Sequence, residues 1–525
     1  MNKNSRTKNS IINMITSVGY QFSILIIAFI TRRIFIENLG VDYLGIGGLF
    51  TNLLEILALA ELGIGSAISF SMYKEIAENN HKKLKALNTY YKNLYNRIAI
   101  IVLVIGLTLL PFLKYLIKLE NEIPNVEIYY LIYLFNTVFS YLFVYKTTIV
   151  TADQKDYKLK IVSCGIEILK AILQVISLII FRNFLVYLLI QIFCTLLGNF
   201  IKSKLAEKWY PFIKEEEELP KEEKKAVWNN IKSMFFYKFG GVAMNNTTNI
   251  LTSILVNTTM VGYYSNYTMI YNKINSFITL FFSSILASIG NLNVTSTNEK
   301  KYEIYKTLSF VSYWMFALAS IGIFFLAEDI VTAMSGSQMF ILEKSILIIS
   351  VINFYIQGIL HPNSTFRQTT GLFKMAKHSM LMCALLNLIL AIILGNKYGL
   401  LGILLATMIS RLLTNVWYEP YLLYRKFFGK NPMEYYKNEI KKAVLCIGII
   451  FIMMPIIKLV MIEHLYIRII VKFIICFIIP NIVFFIIFRK TKEFNYILKK
   501  IEDLIPETIK EKIRRIMWRK QNEGK

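Results

Sequence analysis

Apolar residues in this chain come in blocks, not in the short alternation of a soluble sheet. Fourteen stretches are long enough to cross a hydrocarbon core of about 30 Å. They run near 11–31, 44–72, 98–119, 128–150, 161–181, 184–201, 234–257, 264–294, 307–327, 343–362, 378–395, 400–424, 443–462 and 469–488. Very short connections, "RN" at 182–183 and "NKYG" at 396–399, predict tight hairpins between antiparallel helices. The expected fold class is therefore all-α: a polytopic membrane protein of about fourteen transmembrane helices.

Composition agrees with that pattern. The 525 residues are 55% hydrophobic, and the formal charge is +25. The charge is unevenly placed. Connections assigned to the cytoplasmic side, with both termini, hold 44 Lys and Arg against 5 outside. This asymmetry orients the chain in a cell membrane with both ends cytoplasmic. Anionic headgroups account for the basic excess, so no nucleic-acid partner is expected. The tail "YILKKIEDLIPETIKEKIRRIMWRK" spaces Ile497, Leu498, Ile501, Leu504 and Ile505 as a surface-lying helix would. The first segment ends in "TRR" without a small-residue cleavage site, which predicts a retained helix. Five cysteines fall within the segments, without a CxxC, and read as packing residues.

The longest inner connection, 202–233, divides the chain and contains the solvated-looking "EEEELPKEEKK". It separates an N-terminal lobe of six helices (1–201) from a second six-helix lobe (234–424), followed by two appended helices (425–488) and a basic tail (489–525). "VDYLGIGGLF" (41–50) enters segment 2 and "VGYYSNYTMI" (261–270) enters segment 8, the equivalent point of the second lobe. Parallel repeats of this kind place a central cavity between two lobes.

Polar stripes point to the same cavity. Segment 1 carries Asn13, Thr16, Tyr20 and Ser23 at helical spacing; segment 7 carries Asn246, Asn249, Ser253 and Asn257. Segment 8 adds Asn272, Ser276, Thr279 and Ser283. Lipid offers such groups no hydrogen bond, so they face protein or water. Ordinary interhelical bonding is the alternative for any single stripe.

Among basic residues inside the segments, Lys146, Lys238, Lys344, Lys458 and Lys472 lie near ends and can snorkel. Lys170, Lys273 and Arg411 lie deeper, as residues of substrate or ion pathways do. Lys170 has Glu167 three residues before it, which favours a local pair. Two acids, Glu55 and Glu61, interrupt "LLEILALAELGIG" (53–65) in segment 2. Glu55 shares its face with Gly48 and Asn52 and is the candidate cavity-facing, ion-coupling carboxylate. Glu61 is expected to partner a cation on another helix, with coupling as its alternative role.

No P-loop, GxSxG or HExxH occurs, and the four histidines are scattered. The longest outer connection, "EDIVTAMSGSQMFILE", has carboxylates only at its ends. A membrane polymerase or ligase is disfavoured on those grounds, and no cofactor or metal is expected. Any pumping must draw on an H+ or Na+ gradient or on another protein.

Residues 38–95, "NLGVDYLGIGGLFTNLLEILALAELGIGSAISFSMYKEIAENNHKKLKALNTYYKNLY", resemble the start of polysaccharide-transporter (Wzx-like) flippases of the multidrug/oligosaccharidyl-lipid/polysaccharide superfamily. So do "TADQKDY" (151–157), "FRQTTGLFK" (366–374) and "YGLLGILLATMISRLL" (398–413), with the 261–270 motif above. The resemblance implies a V-shaped, two-lobed transporter that carries undecaprenyl-pyrophosphate-linked oligosaccharides between leaflets by alternating access. It implies lipid-linked oligosaccharide and membrane lipid as partners, with other polysaccharide-assembly proteins as candidates. Arg411, Lys273 and Lys170 are the expected phosphate-binding cations; Asn13, Tyr20, Asn246, Asn249 and Asn272 are the expected hydroxyl partners. A drug or cation exporter of the same fold is the alternative reading.

Overall fold

The computed structural model describes residues 3–61, 64–119, 123–370 and 373–504 of the chain. Among them there is no strand. The first lobe comprises α1 (Lys3–Leu39), α2 (Val41–Leu57), α3 (Ile64–Ala77), α4 (His81–Leu109), a single turn α5 (Leu113–Leu116), α6 (Val126–Ala152), α7 (Asp156–Phe181) and α8 (Phe184–Trp209). The second comprises α9 (Lys221–Leu255), α10 (Thr258–Thr295), α11 (Asn298–Ser335), α12 (Lys344–Thr370), α13 (Phe373–Leu413) and α14 (Asn415–Leu422). Then follow α15 (Met433–Lys458), α16 (Leu465–Phe488) and α17 (Lys492–Leu504).

Ten of these helical stretches are long and apolar enough to cross a membrane. One, His378–Phe428, has 51 residues and contains two legs. It turns at Gly399, whose φ of 58° suits a residue without Cβ. Asn387 and Thr407 then meet across the legs at 3.0 Å. The sequence segments 44–72, 234–257 and 264–294 correspond to α2–α3, α9 and α10, helical but not among the ten. This is a multi-pass membrane chain. The end bearing the Gly399 turn, expected outside, is called the outer end below.

Helix boundaries follow local chemistry. Gly40, at φ 88°, separates α1 from α2. Asn257 caps α10 through a 2.7 Å bond from the Met260 N–H, and Asn183 caps α8 through one from Leu185 at 2.8 Å. Two boundaries differ from the sequence expectation. α1 does not stop at "TRR" but continues to Leu39, because Phe35 and Ile36 are buried against the two lobes. Segment 2 is not one helix: Ala58–Glu61 forms a 3-10 turn between α2 and α3. Such irregular backbone at depth is tolerated where protein or a cavity surrounds it.

The N-terminal core packs Ile46, Phe50, Tyr91, Tyr130 and Leu134 from α2, α4 and α6. The second core joins α10, α11, α12 and α13 around Tyr267, Phe316, Phe354 and Leu404. α15 and α16 dock on the outer face of α11 through Cys446, Met453, Cys476 and Phe484. None of the five cysteines forms a disulfide.

The acidic run of the 202–233 connection is solvated, with the Glu216 side chain 65% exposed, but the connection is not loose. α8 runs through its first part, and its acidic run straps onto the basic end of α4. Lys92 meets Glu216 at 2.5 Å, Lys83 meets Glu223 at 3.2 Å, and Lys85 pairs with Glu215. Ile213, Leu219, Val227 and Ile231 bury themselves in the N-terminal core, which brings the start of α9 onto the first lobe. Residues 505–525 of the basic tail, with Ile505 of its apolar stripe, lie outside the described residues, as does the Lys238 side chain.

Candidate functional site

A cavity of about 680 Å³ lies between the lobes. α1 contributes Arg32, α2 contributes Gly48, Thr51, Asn52 and Glu55, and α6 and α8 contribute Tyr133, Tyr187 and Gln191. The second lobe answers with Asn246 and Asn249 of α9, Tyr264, Thr268 and Asn272 of α10, Asn353 and Gln357 of α12, and Arg411 of α13. Amide, hydroxyl and guanidinium groups predominate, an unusual lining for membrane-spanning helices.

Two guanidinium groups face the cavity from different lobes. Arg32 donates from Nε to Asn266 Oδ1 at 2.9 Å, and its Nη2 donates to Ser265 Oγ. It thereby crosses from α1 to α10. Arg411 is buried and donates to the Asn353 main-chain carbonyl at 3.2 Å, which fixes it against α12. A guanidinium presents five donors in a planar fork and keeps its charge, so each group can grip a phosphate in two places. The Glu55 side chain is exposed to the cavity, which Asn246 lines from the other lobe.

The outer end of the cavity is shut by backbone contact. A Cβ on Gly45 would collide with the Thr258 carbonyl, and one on Gly262 with the Val41 carbonyl. Helices α2 and α10 therefore cross as closely as two backbones can. Thr259 donates to Asp42 at 2.5 Å beside the crossing, and Ser253 donates to the Leu116 carbonyl at 2.6 Å. The two segments that echo each other in sequence, 41–50 and 261–270, are thus the two halves of one contact.

Of the residues singled out from sequence, Arg411, Asn246, Asn249, Asn272 and Glu55 come together around the cavity. The others lie elsewhere. The Asn13 amide accepts from Tyr157 N–H at 2.7 Å and donates to the Gln154 carbonyl at 2.8 Å, so it ties α1 to the turn between α6 and α7. Lys170 pairs with Glu167 at 2.6 Å on α7. Tyr20 and Lys273 lie outside the cavity lining, each within electrostatic reach of that same Glu167. Glu61, in the 3-10 turn, lies near Tyr141 inside the first lobe and outside the cavity lining. Sequence reasoning passed over Arg32, because segment 1 was ended one residue before it. The signal was present: "TRRIFIENL" continues the helical spacing of apolar residues past the two arginines.

Among the described residues no group of His, Cys, Asp or Glu is placed to hold a metal. The arrangement suits binding of a large polar anion.

An all-helical chain whose two lobes enclose a polar cavity has the fold of the MOP-superfamily transporters, and comparison with solved structures shows it. The chain matches "Lipid II flippase MurJ, inward closed conformation" with a TM-score of 0.59 at 17% identity, over 90% of this chain and 98% of that one. It matches an inward-facing multidrug resistance MATE family transporter of the MOP superfamily with a TM-score of 0.58 at 16% identity, over 77% of this chain and 97% of that one. A MOP superfamily transporter from Pyrococcus furiosus, described for the reverse polarity of its binding pocket, matches at TM-score 0.52 and 14% identity, over 78% and 93%. No family model and no curated protein matches the chain.

Proposed function

We propose that this protein is a flippase that carries a lipid-linked, pyrophosphate-bearing oligosaccharide from the inner to the outer leaflet of the cell membrane. The observation that carries the reading is the pair Arg32 and Arg411, one on each lobe, facing one polar cavity. An ionised phosphate moved into low dielectric needs fixed cations and hydrogen bonds around it. Asn249, Asn272, Gln191 and Tyr264 offer donors and acceptors of the kind sugar hydroxyls use. A polyprenyl tail can stay in the bilayer while the head crosses. The broader match to a lipid flippase than to the drug exporter above is in keeping with this reading. Both termini are then cytoplasmic, and surface-polysaccharide assembly supplies the cargo.

The test is reconstitution in liposomes with a defined lipid-linked oligosaccharide, with leaflet exchange read by a lectin or glycosidase outside. Removing one guanidinium deletes charge-assisted hydrogen bonds, so Arg32→Ala and Arg411→Ala should each slow exchange about ten- to hundredfold. Arg411→Lys should rescue only part, since a lysine cannot chelate. Unchanged exchange in both alanine variants, with normal protein in the membrane, overturns the reading. One observation favours a second reading, a drug or cation exporter: the Glu55 carboxylate opens into the same cavity. Uptake of a lipophilic cation without exchange of the glycolipid would support that instead.

A further inference from the structure

A second cavity, of about 520 Å³, lies away from the transport path between α11, α15, α16 and the start of α17. Its level in the membrane follows from the chain. The apolar run of α15 begins directly after Lys441 and Lys442, and α16 ends at Phe488 just before Arg489 and Lys490. Phe494 of α17 stacks on Trp314 of α11 at 5.8 Å and holds that helix across the end of the pocket. The pocket therefore sits at the headgroup level of the leaflet that receives the basic loops.

Its lining is divided. Lys306, Lys441 and Lys442 share it with the carboxylates Glu439 and Glu493. Lys442 is neutralised by Glu439 at 2.6 Å, both mostly buried. Lys306 stands 3.5 Å from Glu434 and from Glu493, long for a strong pair. Lys441 is exposed and makes no ion pair among the described residues, and Asn438 beside it makes no side-chain hydrogen bond among them. One turn further along α11 and α15 the lining is apolar, with Phe310 and Leu445 joined by Ile487 and Phe488 of α16. Ile487 is itself 47% exposed, so the pocket opens sideways onto lipid-facing surface.

The geometry points to a binding site for an acidic phospholipid, with its phosphate between Lys306 and Lys441 and an acyl chain along Phe310 and Ile487. Basic pockets between helices at the cytoplasmic face hold acidic headgroups. A soluble phosphate would leave the apolar wall unused, and a neutral lipid would leave Lys441 unpaired. The lipid would bridge α11 to the appended pair α15–α16 and to α17, fastening them to the second lobe. The proposal is independent of what the central cavity carries.

Native mass spectrometry of the purified full chain tests it, with phosphatidylglycerol and phosphatidylcholine of identical acyl chains as probes and glycerol 1-phosphate as competitor. Phosphatidylglycerol should be retained preferentially as one tight equivalent. At the usual strength of a lysine near an anionic surface, Lys441→Gln should weaken that equivalent about fivefold, and Lys306→Gln with Lys441→Gln on the order of twentyfold. Lys441 is exposed and unpaired, so the single variant reads binding without disturbing the fold. Lys437→Gln, exposed on the same helix and outside the pocket, should change nothing. Equal retention of phosphatidylcholine, full displacement by millimolar glycerol 1-phosphate, wild-type retention in the double variant, or an equal loss in Lys437→Gln would each overturn the proposal.

Discussion

Closure of the outer end rests on two glycines, and that makes Gly262→Ala an informative perturbation. The added Cβ would overlap the Val41 carbonyl and lie 3.1 Å from the Gly45 nitrogen, both backbone atoms of a helix that cannot turn aside. An ordinary carbon-to-carbonyl contact needs about 3.3–3.6 Å. α2 and α10 must therefore separate by roughly an ångström in the closed form. Overpacking of this kind costs about 1–3 kcal/mol. A state in which the two helices have parted at the outer end does not bear that cost, so the equilibrium should shift towards it about five- to 150-fold. The shift can be read with Thr268→Cys, a cavity position on α10, in a background lacking the five native cysteines, by labelling from outside with a membrane-impermeant maleimide. Labelling should quicken by that factor in Gly262→Ala. Gly165→Ala is the control, because a Cβ there meets nothing within 4 Å. A Gly262→Ala protein that folds normally and labels at the wild-type rate refutes the idea that this crossing is the outer gate.

Three further outcomes are expected. Arg367 and Glu419 pair at 4% and 5% side-chain exposure, so Arg367→Gln, which strands the acid, should cost about 3–5 kcal/mol and lower the unfolding temperature. Arg367→Met with Glu419→Leu should recover most of it; equal melting of all three proteins would dismiss the pair as a determinant of stability. In the acidic strap, Lys92 holds the Glu216 carboxyl, and Lys224 the Glu218 carboxyl, below the ordinary value of 4.5. A depressed folded value means the contribution is present at neutral pH and lost as pH falls through it. Amide protection factors over 210–220, corrected for the intrinsic pH dependence of exchange, should therefore fall on acidification and in high salt, and indifference to both would remove the electrostatic account. Finally, Glu55→Gln keeps the shape of the side chain but removes the charge. If transport is coupled there, its dependence on an imposed proton or sodium gradient should flatten, whereas an unchanged dependence leaves Glu55 as a polar part of the lining.

How much of this was legible in the sequence depended on the kind of question asked. Helix placement was: the apolar segments fall on helices, although a 3-10 turn splits segment 2, since hydrophobic length is set by the bilayer and not by any partner. The deep position of Arg411 on the last leg of the second lobe was legible for the same reason. Partners were not. Asn13 and Asn246 look alike in sequence, yet one closes a turn between α6 and α7 and the other lines the cavity. A membrane amide must be satisfied, but a backbone turn, a neighbouring helix or a water-filled space will each do so. The two acids of "LLEILALAELGIG" show where helical geometry itself runs out. Projected along one helix, Glu55 and Glu61 differ only in angle and depth. The 3-10 turn at Ala58–Glu61 breaks that projection, leaving Glu55 in the cavity and Glu61 near Tyr141. Arg32 was missed by the opposite error, a helix ended too early at its charges. What continues α1 past them is the burial of Phe35 in one lobe and Ile36 in the other. The cation that ties the lobes together is therefore held by a stretch of helix that neither lobe would order alone.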